Sequence, residues 1–412
     1  MEQIPFKTGI LENGLRWIHQ EVRSTTGHIG LLIQVGSRDE NPEEEGLAHF
    51  IEHLLFKGTK KRKAYHIISR IEDVGGELNA YTGKEETTLY ASFLLEHYER
   101  SMELIFDIIQ NATFPEREIP KEKEVVLDEI DSYRDSPSEL IFDDFDSLLY
   151  PKHSLGRNIL GTEKTVQSFT REQVLDFAKR NYTPERAVLS SVGGINSVGF
   201  ERLAKKYAAN WTGISISNIQ TTPKVAAGQR KHIKKEIHQS HLILGGEGIS
   251  IHDKNYTALV LLNNLLGGPA MNSRLNLNIR ERYGIAYQIE SFTNSYNDSG
   301  IWGVYAGTDT DTIDRCQTLI IKELNLLREK KLGILQFSKA KTQLLGQMAL
   351  AQENNVNMMT SLGKSMLIFN RVDTFQEIIR KVDSLKIIQI QDLAQQVFSK
   401  NKISELRYIP ID

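Results

Sequence analysis

One cysteine, Cys316, is the whole thiol content of a chain of 412 residues. That excludes an intramolecular disulfide and any multi-cysteine metal centre, and leaves Cys316 as a small buried hydrophobe with no assigned role. Long apolar runs are also missing, and no stretch is long enough to span a bilayer as a helix. Excess charge of one sign is missing too. The 50 Lys and Arg residues nearly balance 53 Asp and Glu, for a net charge of -3, which speaks against a nucleic-acid binder that works by bulk charge. The glycine-rich stretches "LGGEGIS" and "LLGGPAMNSRL" lack the G-x-G-x-x-G and G-x-x-x-x-G-K-[ST] spacings, which argues against nucleotide binding. The first residues, "MEQIPFKTGILENGLRWIHQ", carry neither a basic-then-apolar signal nor an Arg- and Ser-rich, acid-poor transit segment. The expectation is a cytoplasmic protein in a reducing setting, without membrane or nucleic-acid partners.

What is present is an alternation of strand-like and helix-like segments. The N-terminus reads as strand, turn at Asn13-Gly14, strand. "HIGLLIQVGS" is a buried strand, Gly46–Phe56 a helix, and "AYHIISRIEDVGG" an amphipathic helix closed by Gly75-Gly76. "ELNAYTGKEETTLYASFL" reads as a strand pair, followed by helices over 116–133 and 139–149. Thr170 with Gln173 forms a capping box before another helix, and "AVLSSVGGI" is a strand.

After the polar, aperiodic stretch "WTGISISNIQTTPKVAAGQR" the plan repeats. "HLILGGEGIS" matches the early strand, and "NYTALVLLNNLLGG" takes the place of the helix at 46–56. The fold expected is α+β, with two duplicated domains, each a mostly antiparallel sheet backed by helices. The boundaries expected are 1–210 for the first domain, 211–228 for a linker and 229–412 for the second.

Only the first copy carries a polar cluster. In "GLAHFIEHLLFKGT", His49 and His53 are four apart, so on a helix they share a face one turn apart, with Glu52 at its edge. Two imidazoles and one anionic ligand leave a zinc position open for water, and a nearby carboxylate can accept the water's proton. H-x-x-E-H is the inverted form of the H-E-x-x-H motif. The third ligand must come from elsewhere. The acidic helix "PKEKEVVLDEIDSYRDSP" offers Glu122, Glu124, Asp128, Glu129 and Asp131, most of them on a solvated face. Glu122 and Glu129 are seven apart and share a face, and Val125, Val126 and Ile130 mark the buried side next to them. One can bind metal while the other supports a ligand or the water.

"HFIEH", with 75 residues between His53 and Glu129 of "EKEVVLDE", resembles the M16 (pitrilysin-like) zinc metallopeptidases in their half-length, M16B-type form. "GGELNAYTGKEETTLY", "HSLGRNILGT", "NYTPERAVLSSVGGI" and "NSRLNLNIRERYGIAY" extend the likeness over nearly the whole chain. The resemblance implies one Zn2+ per chain held by His49, His53 and Glu129, with Glu52 as general base and Glu122 as supporting carboxylate. It implies an edge strand at Asn79 and Ala80 that pairs with peptide backbone, and an Arg280/Tyr287 pair that donates to the substrate carbonyl. It further implies a zinc endopeptidase acting on unfolded peptides in a chamber between facing halves. The assembly expected is a homodimer, with a heterodimer including an inactive M16 subunit as the other arrangement. The competing expectation is a catalytically silent structural subunit.

Overall fold

The computed structural model describes residues 6–213 and 221–411. Part of the expected linker, residues 214–220, lies outside them. The strands are β1 (Lys7–Ile10), β2 (Arg16–Glu21), β3 (Thr26–Ile33), β4 (Glu77–Thr82), β5 (Thr87–Leu94), β6 (Ala187–Gly193), β7 (Arg230–Lys235), β8 (Ser240–Glu247), β9 (Ala286–Ser295), β10 (Gly300–Thr308) and β11 (Ser404–Pro410). They form a six-stranded sheet ordered β1-β2-β6-β3-β5-β4 and a five-stranded sheet ordered β7-β11-β8-β10-β9.

Omitting β1, the two orders correspond strand for strand. Each sheet has one parallel pair, β2/β6 and β7/β11, and is otherwise antiparallel. This is the mostly antiparallel, helix-backed, duplicated α+β plan read from the repeat. The turn between β1 and β2 uses Gly14 at φ 87°, a left-handed conformation in which glycine carries no steric penalty.

Strands that are apolar at successive positions need cover on both faces. On the first sheet, Leu31, Ile33 and Leu189 join a core with the helices α1 (Leu47–Leu55), α2 (Ala64–Glu72) and α3 (Tyr98–Asn111). Ile18, Leu32, Val188 and Val192 turn to the other face, where Met359, Leu362, Met366 and Leu367 of the helix Asn355–Phe369 cover them. On the second sheet, Leu242, Leu244 and Val304 pack with the helices Tyr256–Gly267, Ile313–Glu329 and Ile387–Val397. Its opposite face, with Ile243, Tyr305, Leu406 and Tyr408, meets Ile141, Phe145 and Leu149.

The compact units are therefore not continuous in sequence. The first draws on Met1–Asp131, Arg157–Gln220 and Leu350–Asp373, the second on Ser132–Gly156, Thr221–Ala349 and Thr374–Asp412. Relative to a division at 211–228, each unit takes one helical segment from the other half of the chain. The physical reason is the second apolar face of each sheet. Among the described residues, no helix is long and apolar enough to cross a membrane.

Candidate metal centre

α1 forms because Leu47, Phe50, Ile51, Leu54 and Leu55 fall on one stripe and are all buried. At about 1.5–3 kcal/mol per buried large apolar side chain, this stripe outweighs the cost of placing His49 and His53 on the adjoining face. The helix starts at Gly46, which has a left-handed φ of 93° and no side chain to cap with. The cap is a remote carboxylate: Glu40 Oε2 accepts from the Gly46 N–H at 3.0 Å and Oε1 from the Ala48 N–H at 2.8 Å.

The helix α4 (Ile119–Arg134) supplies the carboxylates. Ile119, Glu122, Val126 and Ile130 are its buried residues. Val125, expected on the buried side, is exposed, because Val126 and Ile130 already occupy the inward stripe. Glu129 Oε2 lies 3.7 Å from His49 Nε2 and 3.6 Å from His53 Nε2. One ligand atom from each of the three residues lies within 4.8 Å of the others. Tetrahedral bonds of about 2.0–2.1 Å set ligand atoms roughly 3.4 Å apart, so the spacing fits a zinc ion. So does the donor set of two imidazole nitrogens and one carboxylate oxygen.

Electrostatics agree with that fit. Burial, and the neighbouring His53, push the His49 imidazole down to about 3. His49 is therefore neutral at neutral pH, as a metal ligand must be. Among the described residues its Nδ1 meets no hydrogen-bond partner. Burial would also lower His53, but its hydrogen bond to Glu122, with the charges of Glu122, Glu129 and Glu52, outweighs burial and raises it. Burial would raise Glu122, but the hydrogen bonds from His53 and Lys57 lower it. His53 Nδ1 donates to Glu122 Oε1 at 2.9 Å, which leaves Nε2 turned toward Glu129.

Glu52 sits beside His53, half-buried, with Oε2 accepting from Thr82 Oγ1 at 2.5 Å. Burial raises its pKa, against the lowering effect of the Thr82 hydrogen bond and His53. Asn79 and Ala80 lie on β4, which among the described residues is an edge of the first sheet and pairs only with β5. Both line a cavity of about 320 Å³ that is also bounded by Glu52, His53, Phe56 and Lys57. Sequence, then, points to seven residues that the first unit brings together.

Arg280 and Tyr287 belong to the second unit. Arg280 is exposed in a π-helical stretch, Asn276–Glu281, and Tyr287 is 60 % exposed on the edge strand β9, its hydroxyl donating to Asp309 at 3.2 Å. Three residues near the centre escape a reading by pattern. Thr82 reaches Glu52 from another element, Glu40 caps α1 from outside the helix, and Lys57 looks like one more surface lysine. Its spacing of four from His53 is the one signal that could have found it. His241 is buried and bonded to the Tyr305 hydroxyl at 2.9 Å.

Two duplicated α+β halves, one with a His–His–Glu cluster of zinc-ligand type, have the form of a zinc-peptidase-like protein. The family model described as "Insulinase (Peptidase family M16)" matches residues 18–163, and "Peptidase M16 inactive domain" matches residues 168–344. An uncharacterized zinc protease, YmxG, of Bacillus subtilis is 34% identical over 393 residues, 95% of each chain. The mitochondrial-processing peptidase subunit beta of Bos taurus is 30% identical over 392 residues, 93% of this chain and 80% of that one. A protease structure from Helicobacter pylori shares the fold, with a TM-score of 0.92 at 22% identity, covering 98% of this chain and 100% of that one. The chain belongs to peptidase family M16. Its relatives named as zinc proteases support a protein of the peptidase kind and suggest zinc as its metal.

Proposed function

We propose that the chain is a zinc-dependent endopeptidase acting on extended, unfolded peptides. The observation that carries this is the convergence of His49, His53 and Glu129 beside Glu52 and an open sheet edge. In this reading His49 Nε2, His53 Nε2 and the Glu129 carboxylate hold one zinc ion per chain. The chemistry a zinc ion supplies there is Lewis acidity toward water and the scissile carbonyl. Glu52 accepts the water's proton and returns it to the leaving amine, while Thr82 holds the carboxylate in place. Glu122 orients the His53 ring. β4 offers its free edge at Asn79 and Ala80 to the substrate backbone, and Arg280 and Tyr287 donate to the substrate carbonyl.

The reading extends to a chamber between facing halves, a homodimer, and a cytoplasmic location. A chamber would admit unfolded peptides and exclude folded proteins by size. The other reading, a catalytically silent or partner-dependent subunit, draws on the relative named as a subunit. Activity of the purified chain alone separates the two.

The test is a digest of a peptide mixture by wild type and Glu52→Gln, with products identified by mass and metal content measured in both. The expected outcome is cleavage by wild type, a loss of about 10²–10⁴ in rate for the variant, and zinc retained in each. Equal cleavage by both would reject Glu52 as the base.

A further inference from the structure

The Glu122 carboxylate is only 3% exposed, and its two oxygens are divided between two residues of α1 and the turn that follows it. Oε1 accepts from His53 Nδ1 at 2.9 Å, and Oε2 accepts from Lys57 Nζ at 2.6 Å. His53 lies in the last turn of α1 and Lys57 just past the end of that helix, and both reach the same carboxylate on α4. A carboxylate bonded through one oxygen can swing about its Cγ–Cδ bond, and the ring it holds can swing with it. A carboxylate bonded through both is fixed, and the ring is fixed too. The charge matters as well. A buried carboxylate with only a neutral imidazole as donor keeps most of its desolvation cost, and a charge-assisted bond to an ammonium offsets it.

We infer that Lys57 is a positioning residue for the metal centre. Its ammonium clamps Glu122 so that the other oxygen holds the His53 ring with Nε2 facing Glu129. This rests on the zinc-site reading above, but the relay from Lys57 through Glu122 to His53 is made of the chain's own side chains alone. Lys57 thereby acts on the metal through two intervening groups, Glu122 and His53. Its side chain is 30% exposed and lines the cavity beside β4, so it can be replaced without opening a void in the core. A lysine that merely neutralised buried charge would change stability and leave the His53 ring and the metal affinity alone.

The variants are Lys57→Met, Lys57→Arg, Glu122→Gln and the Lys57→Met/Glu122→Gln double. Three quantities are read on each. The first is the downfield Nδ1–H proton resonance of His53 in metal-free protein, assigned by its absence in His53→Asn. The second is the zinc dissociation constant from chelator competition, and the third is the melting temperature. Lys57→Met should lose or broaden the resonance and weaken zinc binding about tenfold. Lys57→Arg, which keeps a charged donor, should recover both. The double variant should bind zinc no more weakly than Glu122→Gln alone, because both changes break one relay.

A wild-type resonance and affinity in Lys57→Met, or additive losses in the double variant, would overturn the inference. A lowered melting temperature as the only effect would do the same. Should Lys57→Met not fold, Lys57→Ala, which also removes the donor to Glu122, is read the same way. If wild type itself binds no zinc, the peptidase reading fails, while the metal-free resonance still decides the role of Lys57.

Discussion

Arg38, Asp39 and Glu40 are three consecutive charged residues, all buried, and each is matched to a different partner. Arg38 pairs with Glu85, Asp39 with Arg186 at 3.0 Å, and Glu40 with the first N–H groups of α1. Because Gly46 has no side chain, the Glu40 carboxylate does the work of the missing cap, an interaction worth about 1 kcal/mol in other helices. Burial nevertheless pushes its pKa well above the ordinary 4.5, despite the two N–H donors. A carboxyl that binds its proton more tightly when folded gives stability that is complete below pH 4.5 and is lost as pH rises through the raised value. Glu40→Gln removes that titration. Urea unfolding across pH 4 to 8 should show the variant furthest below wild type at the acid end, with the gap narrowing as pH rises. A constant gap would mean that Glu40 does not titrate in this window. None of this is legible in "RDENPEEEG", where nothing in the residue pattern names a partner for any of the charges. His49, Glu52 and His53 were legible because their geometry is local, fixed by the pitch of one helix. Glu40 and Thr82 depend on contacts that the fold alone creates.

α1 is also held from outside by the segment "HSLGRNILGT". Arg157 donates to the Glu40 carbonyl at 2.9 Å, and Gly161, at φ 79°, lies against Glu45 and Gly46. A Cβ on Gly161 would fall 2.4 Å from the Glu45 carbonyl oxygen, and one on Gly46 2.6 Å from the Leu160 carbonyl oxygen. The two glycines let two backbones touch at the start of the metal helix. Gly161→Ala should cost the left-handed strain of about 1–2 kcal/mol and, beyond it, displace the N-terminus of α1. Gly75→Ala is the control, since φ is 74° there and an added Cβ meets nothing within 4 Å. Chemical denaturation should rank Gly161→Ala below Gly75→Ala, and only the former should weaken zinc binding. Equal losses would show that the contact with Glu45 is not what demands glycine. The sequence marks such sites only as glycines, and does not say which are turns and which are contacts. Likewise the periodicity of α4 located its buried stripe but misplaced Val125 by one residue, since a step of 100° carries a side chain from the edge of that stripe into solvent.

The exchange of helical segments between the two units was the least legible feature, because amphipathicity shows that a helix has an apolar face and not which sheet will cover it. The helix Asn355–Phe369 is docked closely on the first sheet. Ser190 Oγ donates to the Met359 carbonyl at 2.6 Å, and Arg16 donates to the Met366 carbonyl at 3.1 Å. Gly363 lets the helix axis approach, since a Cβ there would lie 2.4 Å from Leu32 Cδ1 and 3.0 Å from Ser190 Cβ. The covered residues, Ile18, Leu32, Val188 and Val192, are each fully buried. At about 1.5–3 kcal/mol apiece, uncovering all four removes an amount comparable to the whole stability of a typical domain, about 5–15 kcal/mol. A chain ending at residue 213 therefore contains every residue proposed to bind metal and yet lacks the cover for its own sheet. It should bind a hydrophobic dye, unfold without a cooperative transition and hold zinc weakly. Supplying a peptide of residues 350–373 in trans should suppress the dye signal, and the same peptide with Gly363→Val should not. Cooperative unfolding of the 213-residue chain by itself would show that the exchanged helix is an ornament of the first unit and not part of its core.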